Sequence, residues 1–374
     1  MSRDLADVKR IVLKVGTNLL SCKDGIDETR IDSIVEQIAC LMKKNYQVLL
    51  VSSGAIGMGA KELHLKGPVK QVAMRQACAS IGQPLLMSSY RRAFKKHGLV
   101  CSQILLTRKD LNNRLTYVNL RNSVFTLLDL GVVPVFNEND VVSTAEIGSA
   151  FGDNDRMSAM VASKIDADLL IILTDITGLY TADPKKDTNA QLLSEIELLD
   201  EKILAYAGGA GSSYSTGGMK TKLLAAKIAA VAGCATIIAS GYEENALPRL
   251  LESEALGTYI HPTKRLSQRE RWILNNSHQG SIEVDDGAKQ ALLSKKSLLP
   301  KGVVRVHGVF SEGDVIQVCS TDGKPFAKAV PYLNSTDIAS VAGHSSKDIQ
   351  RILGTGYKDM IFRPEDLVLL DDVE

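Results

Sequence analysis

Six strand-like, mainly apolar runs, nearly all without polar alternation, at 11–15, 48–51, 100–106, 132–136, 169–173 and 235–239, mark the first two thirds of the chain. Runs of this kind suit strands buried on both faces of a parallel sheet. The intervals between them read as helices: Ile31, Ile34, Val35, Ile38 and Leu41 fall on one helical stripe, and residues 119–130 make another. This βαβ repetition predicts a three-layer α/β/α sandwich with a mostly parallel sheet over residues 1–262. Ligands of such folds gather at the carboxyl ends of the strands, and the glycine-rich polar segments follow Val15, Val51, Phe136 and Thr174. After a charged bridge at 264–272 the pattern changes to short strands at 281–284, 303–309, 314–318 and 367–370, separated by glycine and aspartate turns. A second, small β-barrel domain over residues 278–374 is the expectation.

Length agrees with two domains, since 374 residues exceed the roughly 250–300 that a single core organises. The 44 Lys and Arg against 43 Asp and Glu leave a formal charge of +1, too little to draw the whole molecule onto nucleic acid or an anionic membrane. Any anion site must therefore be local. The opening residues carry no apolar signal core, and the longest apolar stretch, near 169–173, is far too short to span a bilayer, so a cytoplasmic protein without membrane contact is expected. Six scattered cysteines, with no Cys-x-x-Cys pair and no histidine at ligand spacing, predict neither disulfides nor a metal site built from protein side chains.

Candidate chemistry lies in the turns. There is no Gly-x-x-x-x-Gly-Lys-Ser/Thr loop, and Gly54-Ala55-Ile56-Gly57-Met58-Gly59 lacks the spacing of a dinucleotide-binding turn. Lys14 instead ends the first strand and precedes Gly16-Thr17-Asn18, whose backbone N–H groups suit phosphate oxygens. Taken alone, a strand-end lysine reads as a solvated residue. A second lysine-bearing turn, Thr216-Gly217-Gly218-Met219-Lys220-Thr221-Lys222, opens a helix-forming run. Lysines in a first helical turn oppose the helix dipole at a cost of up to about 1 kcal/mol, so a bound polyanion explains them better than a flexible surface loop. The segment from Thr174-Asp175 through Gly178 to Pro184 has the length to wrap a base and ribose, though Asp-x-x-Gly is also an ordinary turn.

Ser52-Ser53-Gly54-Ala55, Asn137-Glu138-Asn139-Asp140 and Gly152-Asp153-Asn154-Asp155 supply small hydrogen-bonding groups. Serine and backbone N–H groups receive a carboxylate, and Asp140 with the asparagines accepts from an ammonium group, so the set suits an amino acid. Each is also turn or N-cap chemistry, Asp155 standing at a cap position before a helix. An acceptor carboxylate, with a pKa of about 4.3, is ionised at neutral pH and attacks a phosphoryl group without a general base. None of the six histidines lies in these motifs. The barrier is repulsion between anions, which Mg²⁺ and lysines lower, and Lys14 and Lys222 are the natural pair.

Carrying Lys-Val-Gly-Thr at 14–17, Ser-Ser-Gly-Ala at 52–55, Asn-Glu-Asn-Asp at 137–140, Gly-Asp-Asn-Asp at 152–155, Gly-Leu-Tyr-Thr-Ala-Asp-Pro at 178–184 and Thr-Gly-Gly-Met-x-Thr-Lys at 216–222, the chain resembles the amino acid kinase family, in its glutamate-phosphorylating branch. The resemblance implies transfer of the γ-phosphate of ATP, with Mg²⁺, to the γ-carboxylate of L-glutamate, opening proline biosynthesis. It implies that Lys14 and Lys222 are catalytic and that Asp155 holds them. By the same resemblance Lys14, Gly16, Thr174, Asp175 and the stretch Thr216, Gly217, Gly218, Met219, Lys220, Thr221 and Lys222 contact ATP. Ser53, Gly54, Ala55, Asn137, Asp140 and Asn154 bind glutamate. Proline as inhibitor, a homo-oligomer (dimer or tetramer) and a glutamyl phosphate reductase as partner are further implications. The tail, with Val284-Asp285-Asp286-Gly287-Ala288 and Leu299-Pro300-Lys301-Gly302, resembles a PUA domain. One departure is the stretch 147–151, a couple of residues longer than in commoner members.

Two rival readings stand beside this one. The phosphate machinery also fits another acceptor, N-acetylglutamate, aspartate or carbamate. PUA domains also occur in RNA-modifying enzymes, but residues 263–374 hold 15 Lys and Arg against 15 Asp and Glu, so no basic excess pairs with phosphates and no nucleic-acid partner is expected.

Overall fold

The computed structural model describes residues 3, 5–22, 25–142, 154–184, 186–207, 218–263 and 265–370. They form two compact units, Met1–Arg265 and Leu266–Glu374. In chain order the first contains β1 (Arg10–Val15), α1 (Thr17–Leu20), a hairpin of β2 (Ser21–Cys22) and β3 (Gly25–Ile26), α2 (Glu28–Lys43), β4 (Gln47–Val51), α3 (Ala55–Glu62), α4 (Val72–Lys96), β5 (Cys101–Leu106), α5 (Arg108–Asn112) and α6 (Arg114–Asp129). There follow β6 (Val133–Glu138), α7 (Asp155–Lys164), β7 (Leu169–Thr174), β8 (Glu195–Ile196), α8 (Glu201–Tyr206), α9 (Met219–Ala230), β9 (Ala235–Ser240), α10 (Ala246–Leu251) and β10 (Thr258–Ile260).

Eight of these strands form one sheet in the order β5-β6-β4-β1-β7-β9-β10-β8, with every pairing parallel except β9 with β10. All six apolar runs are strands of this sheet. The two short strands at its far edge, β10 and β8, carry no periodicity long enough to read. Alternation along β1 sends Ile11, Leu13 and Val15 into a core shared with Ile31 and Ile38 of α2 and Tyr90 and Phe94 of α4. Val12 enters the opposite core with Met157 and Met160 of α7 and Leu223 and Ala226 of α9. Two residues on from Val12, Lys14 points to that second face. Its register sets it opposite Val51 of β4 and Ile172 of β7, so the turns after these three strands lie side by side.

The glycine run after β4 has a packing role. A Cβ on Gly59 of α3 would lie 1.8 Å from the Cys78 carbonyl oxygen of α4, and one on Gly82 of α4 would lie 1.8 Å from the Ala55 oxygen of α3. The two helices thus touch backbone to backbone, an approach open only to glycine. Gly54, at φ 103°, makes the turn into α3.

The second unit begins inside the segment read as a charged bridge: α11 (Gln268–Asn275) starts with a Ser267/Glu270 capping box. It buries Ile273 against Val315, Val330 and Val368, and Arg269 pairs with Asp366. The unit continues with β11 (Gly280–Val284), α12 (Asp286–Leu293), β12 (Val303–Gly308), β13 (Ile316–Cys319), β14 (Pro325–Ala329), α13 (Ser335–Val341), α14 (Ile349–Leu353) and β15 (Leu367–Leu369). Its five-stranded sheet runs β12-β11-β13-β14-β15 over a core that includes Ile282, Val318, Ile338 and Phe362. Among the described residues no helix is long and apolar enough to cross a membrane.

Candidate active site

Asn154 takes the left-handed conformation, φ 58° and ψ 7°, immediately before α7, a backbone state that asparagine tolerates better than most residues. Asp155 is therefore the first helical residue and not the cap that its sequence position suggests. Its carboxylate meets two lysines: Oδ1 lies 2.9 Å from Lys14 Nζ, and Oδ2 lies 3.2 Å from Lys222 Nζ. Thr221 Oγ1 donates to the same Oδ2 at 2.8 Å. All three ionic side chains are at most 3% exposed. Removing charges from water costs several kcal/mol per ion unless partners answer them. Asp155 answers both ammonium groups at once, which holds the two lysines at a fixed spacing.

The lysines come from elements far apart in sequence, Lys14 from the end of β1 and Lys222 from the first turn of α9. Of the two lysines that begin α9, only Lys222 is buried; Lys220, two residues earlier and on another face of the helix, is exposed. Gly218 stands at the N-cap of α9 and Met219 is half-buried, while Thr216 and Gly217 lie outside the described residues.

At the end of β7, Thr174 is buried and Asp175 exposed. Burial works against ionisation of Asp175, but hydrogen bonds from Asn18 Nδ2 at 3.0 Å and Thr174 Oγ1 at 3.0 Å, with the Lys222 charge nearby, outweigh it and hold the carboxyl below its usual range. The Gly16 N–H donates to the Leu173 carbonyl at 3.2 Å. That donor, expected to face phosphate, is thus committed to the sheet.

The amino-acid-like motifs converge on Asn154. Its Nδ2 donates to the Ser52 carbonyl at 2.6 Å, to Asn137 Oδ1 at 2.8 Å and to Ser53 Oγ at 3.3 Å. Ser53 and Asn137 are buried, and the Gly54-Ala55 turn adjoins them. Asp140 is half-buried after β6; burial raises its pKa and the Arg75 charge opposes the rise. Three residues that the sequence reading did not single out support this wall. Gln83 of α4 accepts from Asn137 Nδ2 at 2.7 Å, Gln103 of β5 accepts from Gln83 at 3.1 Å, and Tyr90 shares a 2.9 Å hydrogen bond with Ser52 Oγ. Gln83 and Tyr90 are seven apart on one helix face, a spacing that could have flagged them as a pair directed at one neighbour. The longer stretch at 147–151, with Gly152 and Asp153, lies outside the described residues. Among the described residues, no group of three or more His, Cys, Asp or Glu side chains is arranged to hold a metal.

A model of the amino acid kinase family matches residues 9–240, and a model of the PUA domain matches residues 280–353. The glutamate 5-kinase of Methanosarcina mazei is 42% identical over 377 residues, covering 98% of this chain and 97% of its own. The glutamate 5-kinase of Syntrophotalea carbinolica is 43% identical over 373 residues, covering 99% and 100%. Among solved structures, carbamate kinase from Giardia lamblia bound to AMP-PNP matches with a TM-score of 0.50 at 18% identity, over 69% of this chain and 99% of that one, a likeness of fold alone. Relatives of this similarity span both units, and the chain belongs to the amino acid kinase family, among the glutamate 5-kinases that carry a C-terminal PUA domain.

Proposed function

We propose that the chain transfers the γ-phosphate of ATP to the γ-carboxylate of L-glutamate, giving L-glutamyl 5-phosphate, the first step of proline biosynthesis. The observation that carries the reading is the pair of buried lysines, Lys14 and Lys222, on either side of Asp155 at the carboxyl ends of the strands. In a loose, in-line transfer, charge spreads over the equatorial oxygens of the phosphoryl group, and fixed ammonium groups stabilise that state more than the ground state. Asp155 acts through the lysines as a positioning residue. Thr174, Asp175 and the opening of α9 form the nucleotide side. Ser53, Gly54, Ala55, Asn137, Asp140 and Asn154 form the glutamate side.

Mg²⁺ enters with ATP, and Asp175, kept ionised beside the Thr174 hydroxyl, offers the oxygen donors that a hard cation prefers. When bound, the ion neutralises phosphate charge. Proline carries the α-carboxylate and amino nitrogen of glutamate without its γ-carboxylate, which suits it to compete at the Ser53, Asp140 and Asn154 pocket as a feedback inhibitor. Assembly as a dimer or tetramer, a cytoplasmic location and delivery of the labile acyl phosphate to a glutamyl phosphate reductase complete the proposal.

The discriminating test is ATP turnover with glutamate, N-acetylglutamate, aspartate and carbamate as acceptors. Glutamate is expected to give the highest kcat/KM. A preference for any other acceptor refutes the assignment.

A further inference from the structure

We infer that Gln83 is a positioning residue that, by accepting from Asn137, holds the Asn137–Asn154 amide pair in the orientation that selects an acceptor with a free α-ammonium group. The inference rests on the glutamate reading and adds to it.

Four amides are joined head to tail. Asn154 Nδ2 donates to Asn137 Oδ1, Asn137 Nδ2 donates to Gln83 Oε1, and Gln83 Nε2 donates to Gln103 Oε1, at 2.8, 2.7 and 3.1 Å. Two backbone groups fix the direction. The Glu138 N–H donates to Asn137 Oδ1 at 2.9 Å, so that atom must be the oxygen. The Ser52 carbonyl lies 2.6 Å from the Asn154 amide, so the atom facing it must be the nitrogen. With Asn154 and Asn137 both tied to the main chain, neither of them nor Gln83 can turn over without leaving two acceptors or two donors face to face. Each bond also polarises the next.

The consequence falls at the Asn154 end. Its NH₂ is occupied by Ser52, Asn137 and Ser53, and among the described residues nothing donates to its Oδ1. The carbonyl oxygen is left to accept, with Asp140, from an ammonium group, while the Ser53 oxygen, having accepted from Asn154, keeps its own proton to donate to a carboxylate. An N-acylated amino group has lost its charge and all but one proton and matches this arrangement poorly. Glutarate, which lacks the amino group, bypasses it.

The test measures glutamate KM and the competitive inhibition constant of glutarate for the wild-type chain, Gln83→Leu, Gln83→Met and Gln103→Leu. Both Gln83 changes leave the Asn137 amide without its acceptor. They are expected to raise glutamate KM about tenfold and to leave glutarate inhibition and kcat within about twofold. Gln103 is exposed, so water replaces its oxygen and Gln103→Leu is expected to shift glutamate KM by about threefold or less. An equal loss for glutamate and glutarate, or unchanged glutamate KM in both folded Gln83 variants, overturns the assignment. If the wild-type chain itself fails to use glutamate, the functional reading falls first and the assignment falls with it.

Discussion

Lys220 and Lys222 have the same chemistry and sit two positions apart, yet one is solvated and the other is enclosed beside Asp155. Burial is what gives the second its leverage, because water screens a solvated ammonium group and cannot screen a buried one to the same degree. Replacing Lys222 with Ala is expected to lower kcat by about a hundredfold or more while glutamate KM changes little, since the contact strengthens as the phosphoryl group moves. A loss confined to KM would contradict this role. Asp155→Asn removes the counter-charge from two buried lysines, at a cost of about 3–5 kcal/mol. At roughly 2–4 °C per kcal/mol for a unit of this size, Tm should fall by about 10 °C and recover in part with ATP; an unchanged melting curve would show that the ions do not depend on one another. Asp140 supplies the pH dependence. Its pKa is raised by burial, against the opposing charge of Arg75, so acidification protonates it at a higher pH than an exposed aspartate. Glutamate KM should therefore rise as pH falls through that raised value and be flat over the same window in Asp140→Asn. At this scale the lysines were legible because each stands beside a glycine turn at the end of a strand or the start of a helix. Gln83 was not, because a glutamine in a helix carries no local sign of whether it is buried, and only the packing of α4 against β6 decides it; Gln103, exposed on β5, is marked only by its bond to Gln83.

At the level of elements, α3 and α4 bring the Ser52-Ser53 turn and the Gln83–Tyr90 face together, and glycines determine how closely. Gly59→Ala or Gly82→Ala would place a methyl group 1.8 Å from a backbone oxygen of the opposite helix. A backbone cannot yield as a side-chain tip does, so each change should cost about 1–3 kcal/mol or more and raise glutamate KM with little effect on ATP KM; equal loss for both substrates would argue against a local displacement. Five of the six long strands were readable because burial on both faces leaves a largely apolar run, whereas β5, at the sheet edge and only partly buried, was marked by its apolar end, Ile104–Leu106. The close contact of α3 with α4 was not readable. Gly54-Ala55-Ile56-Gly57-Met58-Gly59 shows that small residues are required there, without showing that the neighbour is another helix. The short strands β8 and β10, of two and three residues, are fixed by pairing with neighbours and not by their own pattern.

The whole molecule is two units with separate cores, and the lysine–aspartate cluster lies entirely in the first. A chain ending after Arg265 is expected to fold and to keep kcat within about threefold. Its oligomeric mass or proline sensitivity should change if the PUA unit serves assembly or regulation, and light scattering with proline titration checks both. The balanced charge of the tail, 15 basic against 15 acidic residues over 263–374, argues that the isolated second unit binds RNA weakly at physiological salt. An acyl phosphate reacts with hydroxylamine to give a hydroxamate, so the decisive measurement is ATP-dependent hydroxamate formation by the full chain. Transfer to the γ-carboxylate predicts γ-glutamyl hydroxamate in step with ADP when glutamate is supplied, slowed about a hundredfold or more in Lys222→Ala. ADP released without hydroxamate, or a greater yield from N-acetylglutamate or aspartate than from glutamate, would contradict it.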